Sequence, residues 1–254
     1  MQLLCVPAGE FTMGRDNTTL TYQSPAHPVY LGAYWIDETE VTNEMYAACV
    51  ADNERCPLPY QTPDFLNMVA SSPTYAGLPV VNTDWNAATA YCAWAGRELP
   101  TEAQWEKAAR GTDGRLYPWG NEWEGSRANY CDINCEIDDL KDSRHDDFFA
   151  FVAPVGSFPD GASPYGALDM AGNVYEWVSD YWADHYIVEK TPTPNPTGPK
   201  SGQYRIVRGG SWNYEKLRCQ TTDRFKSGQD FQSGYIGFRC ATTAPLGPAG
   251  TTNP

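Results

Sequence analysis

Eight cysteines and three histidines are the residues of this chain best suited to bind a metal or attack a substrate, and their spacing limits what they can do. Cys49 and Cys56 bracket the polar turn Val50-Ala51-Asp52-Asn53-Glu54-Arg55, and Cys131 and Cys135 bracket Asp132-Ile133-Asn134. One disulfide would staple each of these short loops. A structural zinc ion would need about four ligands, and the chain has no C-x2-C pair and no paired histidines. His27, His145 and His185 stand far apart, and His145, beside Asp146 and Asp147, reads as a solvated loop residue. No Ser-His-Asp arrangement and no phosphate-cradling glycine loop stands out. The 32 carboxylates are numerous enough to pair by accident, so they carry no catalytic weight without geometry.

Disulfides persist in oxidising compartments, so the two cysteine pairs predict a protein that works outside the cytoplasm: periplasmic, at the cell surface or secreted. Lys plus Arg number 18 against 32 for Asp plus Glu, a net charge of −14. That charge repels nucleic acid and anionic membrane surfaces and attracts divalent cations. Nucleic acid is therefore not an expected partner. No apolar run approaches the roughly 18 residues of a membrane-crossing helix. Met1 to Pro7 is too short for a signal peptide, so an export or anchoring signal is expected to have been lost or to lie elsewhere.

These side chains need elements to position them. With 254 residues, 41% hydrophobic and 13% aromatic, the chain can fill a sizeable core. The run Val29 to Ile36 is rich in aromatic and β-branched residues and predicts a strand. Thr42 is a candidate N-cap for a helix over Asn43 to Val50, whose Met45, Tyr46, Cys49 and Val50 share one face. A second helix is predicted from Trp85 to Ala95, with Gly96 in the left-handed position that follows a helix end. Thr101 and Gln104 form the T-x-x-Q capping box of a third helix, which Gly111 ends. Beyond Gly111, Gly, Pro, Asp, Asn and aromatic residues dominate. Loops and short strands are expected there, with Tyr204 to Trp212 and Tyr235 to Ala241 pairing in a central sheet. Such loops bury few apolar side chains and need staples to offset their conformational entropy. Residues 244–254, rich in Pro, Gly and Thr, read as a linker or tail.

A series of ordered phrases then makes the sequence specific. They include Val6-Pro7-Ala8-Gly9-Glu10-Phe11-Thr12-Met13-Gly14, Glu40-Val41-Thr42-Asn43 and Leu99-Pro100-Thr101-Glu102-Ala103-Gln104-Trp105-Glu106. Further on come Tyr117-Pro118-Trp119-Gly120-Asn121, Asp169-Met170-Ala171-Gly172-Asn173-Val174-Tyr175-Glu176-Trp177, Arg208-Gly209-Gly210-Ser211-Trp212 and Gly237-Phe238-Arg239. Over roughly residues 4–243 the chain resembles the formylglycine-generating-enzyme, or sulfatase-modifying-factor, family. The resemblance implies an α+β fold with little regular secondary structure, related to the C-type lectin fold, as a single domain over residues 1–243.

It also implies structural calcium, an ion that takes about six to eight oxygen ligands. One ion would be held by the side chains of Asn129 and Asp147 and the carbonyls of Tyr130 and Phe149. A second would be held by Asp169 and Glu176 with the carbonyls of Gly172 and Val174. The acidic balance and a Gly172-Asn173-Val174 turn that can curl its carbonyls inward agree with this. Cys92 and Cys240 match a disulfide of the family, which leaves Cys5 and Cys219 without assigned partners.

Active members of the family resemble copper-dependent oxidases. Two cysteines just after the Gly-Gly-Ser-aromatic phrase bind the metal and the substrate thiol, and soft Cu(I) needs such thiolates. Here Tyr214 stands at the first position and only Cys219 at the second, so copper is not expected and formylglycine formation is not expected. Cys219 remains only a weak catalytic candidate. The resulting expectation is a binding or assembly module that presents the loop Asn213 to Tyr235, with Tyr214, Arg218, Arg224, Phe225, Phe231 and Tyr235 facing another protein or an envelope complex. The alternative is a metal-dependent oxidase that modifies a protein or small molecule.

Overall fold

Buried residues alternate along the first strands, as they do in strands with one covered face. The parity of that alternation sets the strand boundaries. In the computed structural model, which describes residues 1–16, 18–52, 55–60, 75–186, 188 and 194–244, Val29 and Leu31 are buried, and so are Tyr34 and Ile36. Odd and even positions cannot share one face, so the single strand expected over residues 29–36 breaks at Gly32-Ala33 into β3 (His27–Leu31) and β4 (Tyr34–Asp37). They serve different sheets. β3 pairs antiparallel with β2 (Gly9–Met13), while β4 lies between β1 (Leu3–Val6) and β9 (Ala241–Thr242), joining the two ends of the described chain.

Three helices follow, two of them from the caps read in the sequence. Thr42 accepts from Met45 N at the start of α1 (Asn43–Ala51), and Asp84, which sequence reasoning passed over, does the same for Ala87 N in α2 (Trp85–Trp94). The Thr101–Gln104 box closes in both directions at α3 (Glu102–Arg110), and Gly111 ends that helix at φ 68°. α3 is the central element. Its Ala103, Trp105, Ala108 and Ala109 enter a core with Phe11, Ile36, Met170, Val178 and Ile206.

The principal sheet has the order β7 (Phe225–Gly228), β6 (Tyr204–Arg208), β5 (Tyr175–Tyr181) and β8 (Ile236–Gly237), with β5 and β8 parallel. The strand expected over residues 235–241 is therefore divided between two sheets. β5 was not anticipated: Tyr175, Glu176, Trp177 and Val178 are all buried, so no alternation marks it as a strand. Trp85 Nε1 donates to the Val178 carbonyl and Trp177 Nε1 to the Thr83 carbonyl, which fastens β5 to the start of α2. Disulfides join Cys49 to Cys56, Cys92 to Cys240 and Cys131 to Cys135. Among the described residues no helix is long and apolar enough to cross a membrane. Residues 245–254 of the predicted tail lie outside the described residues.

Candidate functional site

The turn that leads into β5 gathers the candidate metal ligands. Asp169, Gly172 and Asn173 all adopt positive φ, at 57°, 84° and 59°. Gly172 has no substitute here, because a Cβ would lie 2.1 Å from the Asn129 carbonyl oxygen. Asn173 then knits the neighbourhood together. Its backbone N–H donates to Asn129 O, its Oδ1 accepts from Ala153 N and Asn129 Nδ2, and its Nδ2 donates to Glu40 Oε1.

The structure brings the first predicted ligand set together. Asn129 and Asp147 are both buried. Asp147 accepts from Tyr130 N (3.1 Å) and Phe149 N (2.9 Å), which places the two carbonyl-bearing residues on either side of one carboxylate. Asn129 Nδ2 donates to Phe151 O, but its Oδ1 is buried without a hydrogen-bond partner. Buried oxygens without donors are uncommon and call for a partner, a water or an ion. Burial, with Asp132 nearby, pushes the Asp147 carboxyl up to about 7. Asp132 itself is fully buried and accepts from Asp147 N and from Asn134 inside the Cys131–Cys135 loop. The orphaned amide oxygen of Asn129, one residue before the Tyr130 N–H that donates to Asp147, and the buried carboxylates of Asp147 and Asp132 are a donor set that fits a divalent cation. Sequence reasoning missed Asp132, although the Asp132-Ile133-Asn134 spacing was its signal.

The second set is divided. Both oxygens of Glu176 are occupied: Arg239 grips them at 2.7 Å each, Trp105 Nε1 adds a bond at 2.8 Å, and both partners of the ion pair are completely buried. With both oxygens bonded in this way, Glu176 does not fit a cation site. Asp169 instead accepts from Gly156 N and lies near enough to Glu40, a residue the sequence reading did not select, for the two carboxyls to feel each other's charge. Burial, then the charge of Asp169, holds the Glu40 carboxyl well above the usual range, and its Oε2 is buried without a partner. The spare ligand capacity therefore lies at the Glu40–Asp169 end, beside Gly172 and Val174. Among the described residues no three His, Cys, Asp or Glu side chains gather into a metal-binding group, so a cation at either place would depend on amide and carbonyl oxygens.

Cys219 lies in the interior with Tyr130 and Ala171, and burial pushes its thiol well above the ordinary range. A reactive cysteine needs an accessible thiolate, which this environment disfavours. The other free cysteine among the described residues, Cys5, is exposed on β1. At the other family position Tyr214 packs its ring near those of Tyr175 (5.4 Å), Tyr235 (5.9 Å) and Phe225 (6.2 Å). Phe231 extends this band at 6.4 Å from Tyr235. Arg218 bonds Tyr22 Oη at its margin. Arg224 departs from its expected role as a contact residue: it is buried, and its guanidinium is committed to both oxygens of Glu102. The aromatic loop and the first metal loop are coupled, since Cys131 N donates to Tyr214 O and Lys216 pairs with Asp142.

Comparison with known proteins places these features in a family. The model of the sulfatase-modifying factor enzyme 1-like domain matches residues 1–244. A formylglycine-generating enzyme of Streptomyces coelicolor is 36% identical over 284 residues, covering 95% of this chain and 89% of that protein. The inactive C-alpha-formylglycine-generating enzyme 2 of Mus musculus is 38% identical over 173 residues, covering 66% of this chain and 50% of that protein. Among solved structures, PvdO from Pseudomonas aeruginosa superposes with a TM-score of 0.75 at 27% identity, covering 94% of this chain and 93% of that one.

Proposed function

The chain belongs to the sulfatase-modifying factor enzyme 1-like domain family, and we propose that it is a calcium-stabilised binding or assembly module working outside the cytoplasm, not a formylglycine-forming oxidase. The observation that carries this reading is the pair Tyr214 and Cys219. The oxidase chemistry that the family resemblance implies holds Cu(I) on two cysteines, and here one position carries a phenol within an aromatic cluster and the other a buried thiol held protonated. Likeness to a mouse protein named as inactive accords with it. Three disulfides support an oxidising compartment. The band of Tyr214, Phe225, Phe231 and Tyr235 is the surface we assign to another protein or an envelope complex, since half-buried aromatic groups anchor such contacts.

Calcium would supply fixed positive charge to the loop of residues 129–149. Asn129, Asp147 and Asp132 are the side chains that would hold it, and the bond from Cys131 to the Tyr214 carbonyl passes that order to the aromatic loop. Calcium at about a hundred times its dissociation constant is expected to stabilise the protein by about 2.7 kcal/mol over the chelated form. Thermal unfolding with EDTA and then with calcium chloride reads this directly. Asp147→Asn should remove most of the response, and an unchanged melting temperature in the unsubstituted protein would rule out the calcium claim.

The oxidase alternative is tested by loading the reduced protein anaerobically with Cu(I), then adding oxygen and a cysteine-containing sulfatase-motif peptide. No stoichiometric copper and no aldehyde by mass spectrometry are expected. Copper-dependent aldehyde formation would overturn the binding reading, and loss of that turnover in Cys219→Ser would assign the chemistry to this thiol.

A further inference from the structure

Two exposed features on separate loops have complementary chemistry. The first is the tip of the loop that carries the first metal site. Phe148 is 84% exposed and holds φ at 71°, a backbone region where bulky side chains are outliers. A large apolar ring kept in water on a strained backbone is an outlier from which a functional hypothesis can start. Asp146, also exposed, fixes the tip: its Oδ1 accepts from Phe148 N and from Asn134 Nδ2. The tip is thus an aromatic ring with a carboxylate at its base.

The second feature is a cleft of about 430 Å³ between residues 20–22, residues 182–185 and the start of β7. Its walls are aromatic: Tyr22 and Trp182 have centroids 5.9 Å apart, and Phe225 lines the same cleft. Acids outnumber bases in the chain as a whole, yet Arg218, Arg224 and Lys226 line this cleft against one acid, Asp184. Arg224 is committed to Glu102, and Arg218 lies near Glu215 and Asp223. Lys226 is the spare cation. Its ammonium lies 5.7 Å from the Trp182 ring and 5.3 Å from that of Tyr204, and among the described residues it meets no carboxylate. An ammonium resting on aromatic faces keeps its outward side for an anion.

We propose that the chain self-associates by seating Phe148 of one copy in the cleft of another, against Tyr22, Trp182 and Phe225, with Asp146 paired to Lys226. The inference rests on the reading of the chain as an assembly module and names the partner as a second copy. A contact between two different patches needs an intact tip on one copy and an intact cleft on the other. Phe148→Gly suits the left-handed backbone, and Lys226→Glu changes an exposed side chain and gives up only its contacts with the Trp182 and Tyr204 rings, so both variants are expected to fold, with melting temperatures within a few degrees of the unsubstituted protein.

Sedimentation velocity over a concentration series tests the contact. The unsubstituted protein is expected to associate reversibly, and each variant alone to bind itself at least about tenfold more weakly. An equimolar mixture of Phe148→Gly and Lys226→Glu should regain a dimer, because one variant keeps its cleft and the other its tip. A monomer at all concentrations, or a mixture that associates no better than its components, would overturn the proposal. So would a protein that stays monomeric while its cleft binds the peptide acetyl-Asp-Asp-Phe-Phe-amide, the sequence of residues 146–149, because that recognition would then not join two copies. Sedimentation is blind to copper chemistry, so failure here and failure of the functional reading remain separate results.

Discussion

Replacing Arg239 with methionine is expected to lower stability by about 3–5 kcal/mol, the usual cost of stranding one partner of a buried ion pair. Glu176 and Arg239 are both completely inaccessible, and the guanidinium supplies two of the three hydrogen bonds to the carboxylate. Arg239 also donates to the carbonyls of Asp37, Glu38 and Leu168, so it ties the end of β4 to β5 and to the turn before it. Urea unfolding in EDTA measures the loss. The double variant Arg239→Met with Glu176→Gln should recover a large part of it, because a neutral amide is far cheaper to bury than an unpaired carboxylate. A loss below about 1 kcal/mol in calcium-free buffer would mean that the Glu176–Arg239 pair contributes little to holding β4, β5 and the turn before it together. The same comparison with calcium present asks whether a cation can take over from the guanidinium.

The second large effect concerns the bridge between Cys92 and Cys240, which closes 148 residues of chain. Loop-closure entropy grows with the length enclosed, so replacing both residues with serine is expected to cost about 4–5 kcal/mol, or less if the unfolded chain keeps residual structure. At this chain length that is a fall in melting temperature of roughly 10 °C or more. Removing the Cys131–Cys135 bridge, which spans four residues, should cost much less globally. Its expected effect is local, on the loop that holds Asp132 and Asp147. Equal melting temperatures for the unsubstituted protein and the Cys92→Ser/Cys240→Ser variant would show that the long bridge does not stabilise the fold. A large difference would agree with folding in an oxidising compartment.

Both effects bear on function because the family fold has little regular secondary structure to hold its loops. The aromatic loop hangs on β6 and β7, on the buried Arg224–Glu102 pair and on the Cys131 bond to Tyr214. Weakening any of these should be felt first as disorder in the proposed contact surface, since loops with few buried contacts open at low free energy.

What the sequence determined by itself was local or contiguous. The capping box at Thr101 and Gln104, the cap at Thr42 and the Gly96 and Gly111 stops depend on neighbours within a few residues, and they were legible. So were the family phrases, because their order along the chain is itself the signal. The short cysteine loops could be read because bridging so few residues leaves little choice of partner. The tertiary structure decided what depends on distant residues. β5 is covered on both faces, so it shows no alternation for the eye to find. Glu176 meets Arg239 across 63 positions, Glu40 reaches Asn173 across 133, and Arg224 reaches Glu102 across 122. No periodicity links such pairs. A buried charge takes whichever counter-charge the packing brings within reach, and only the folded chain sets that distance.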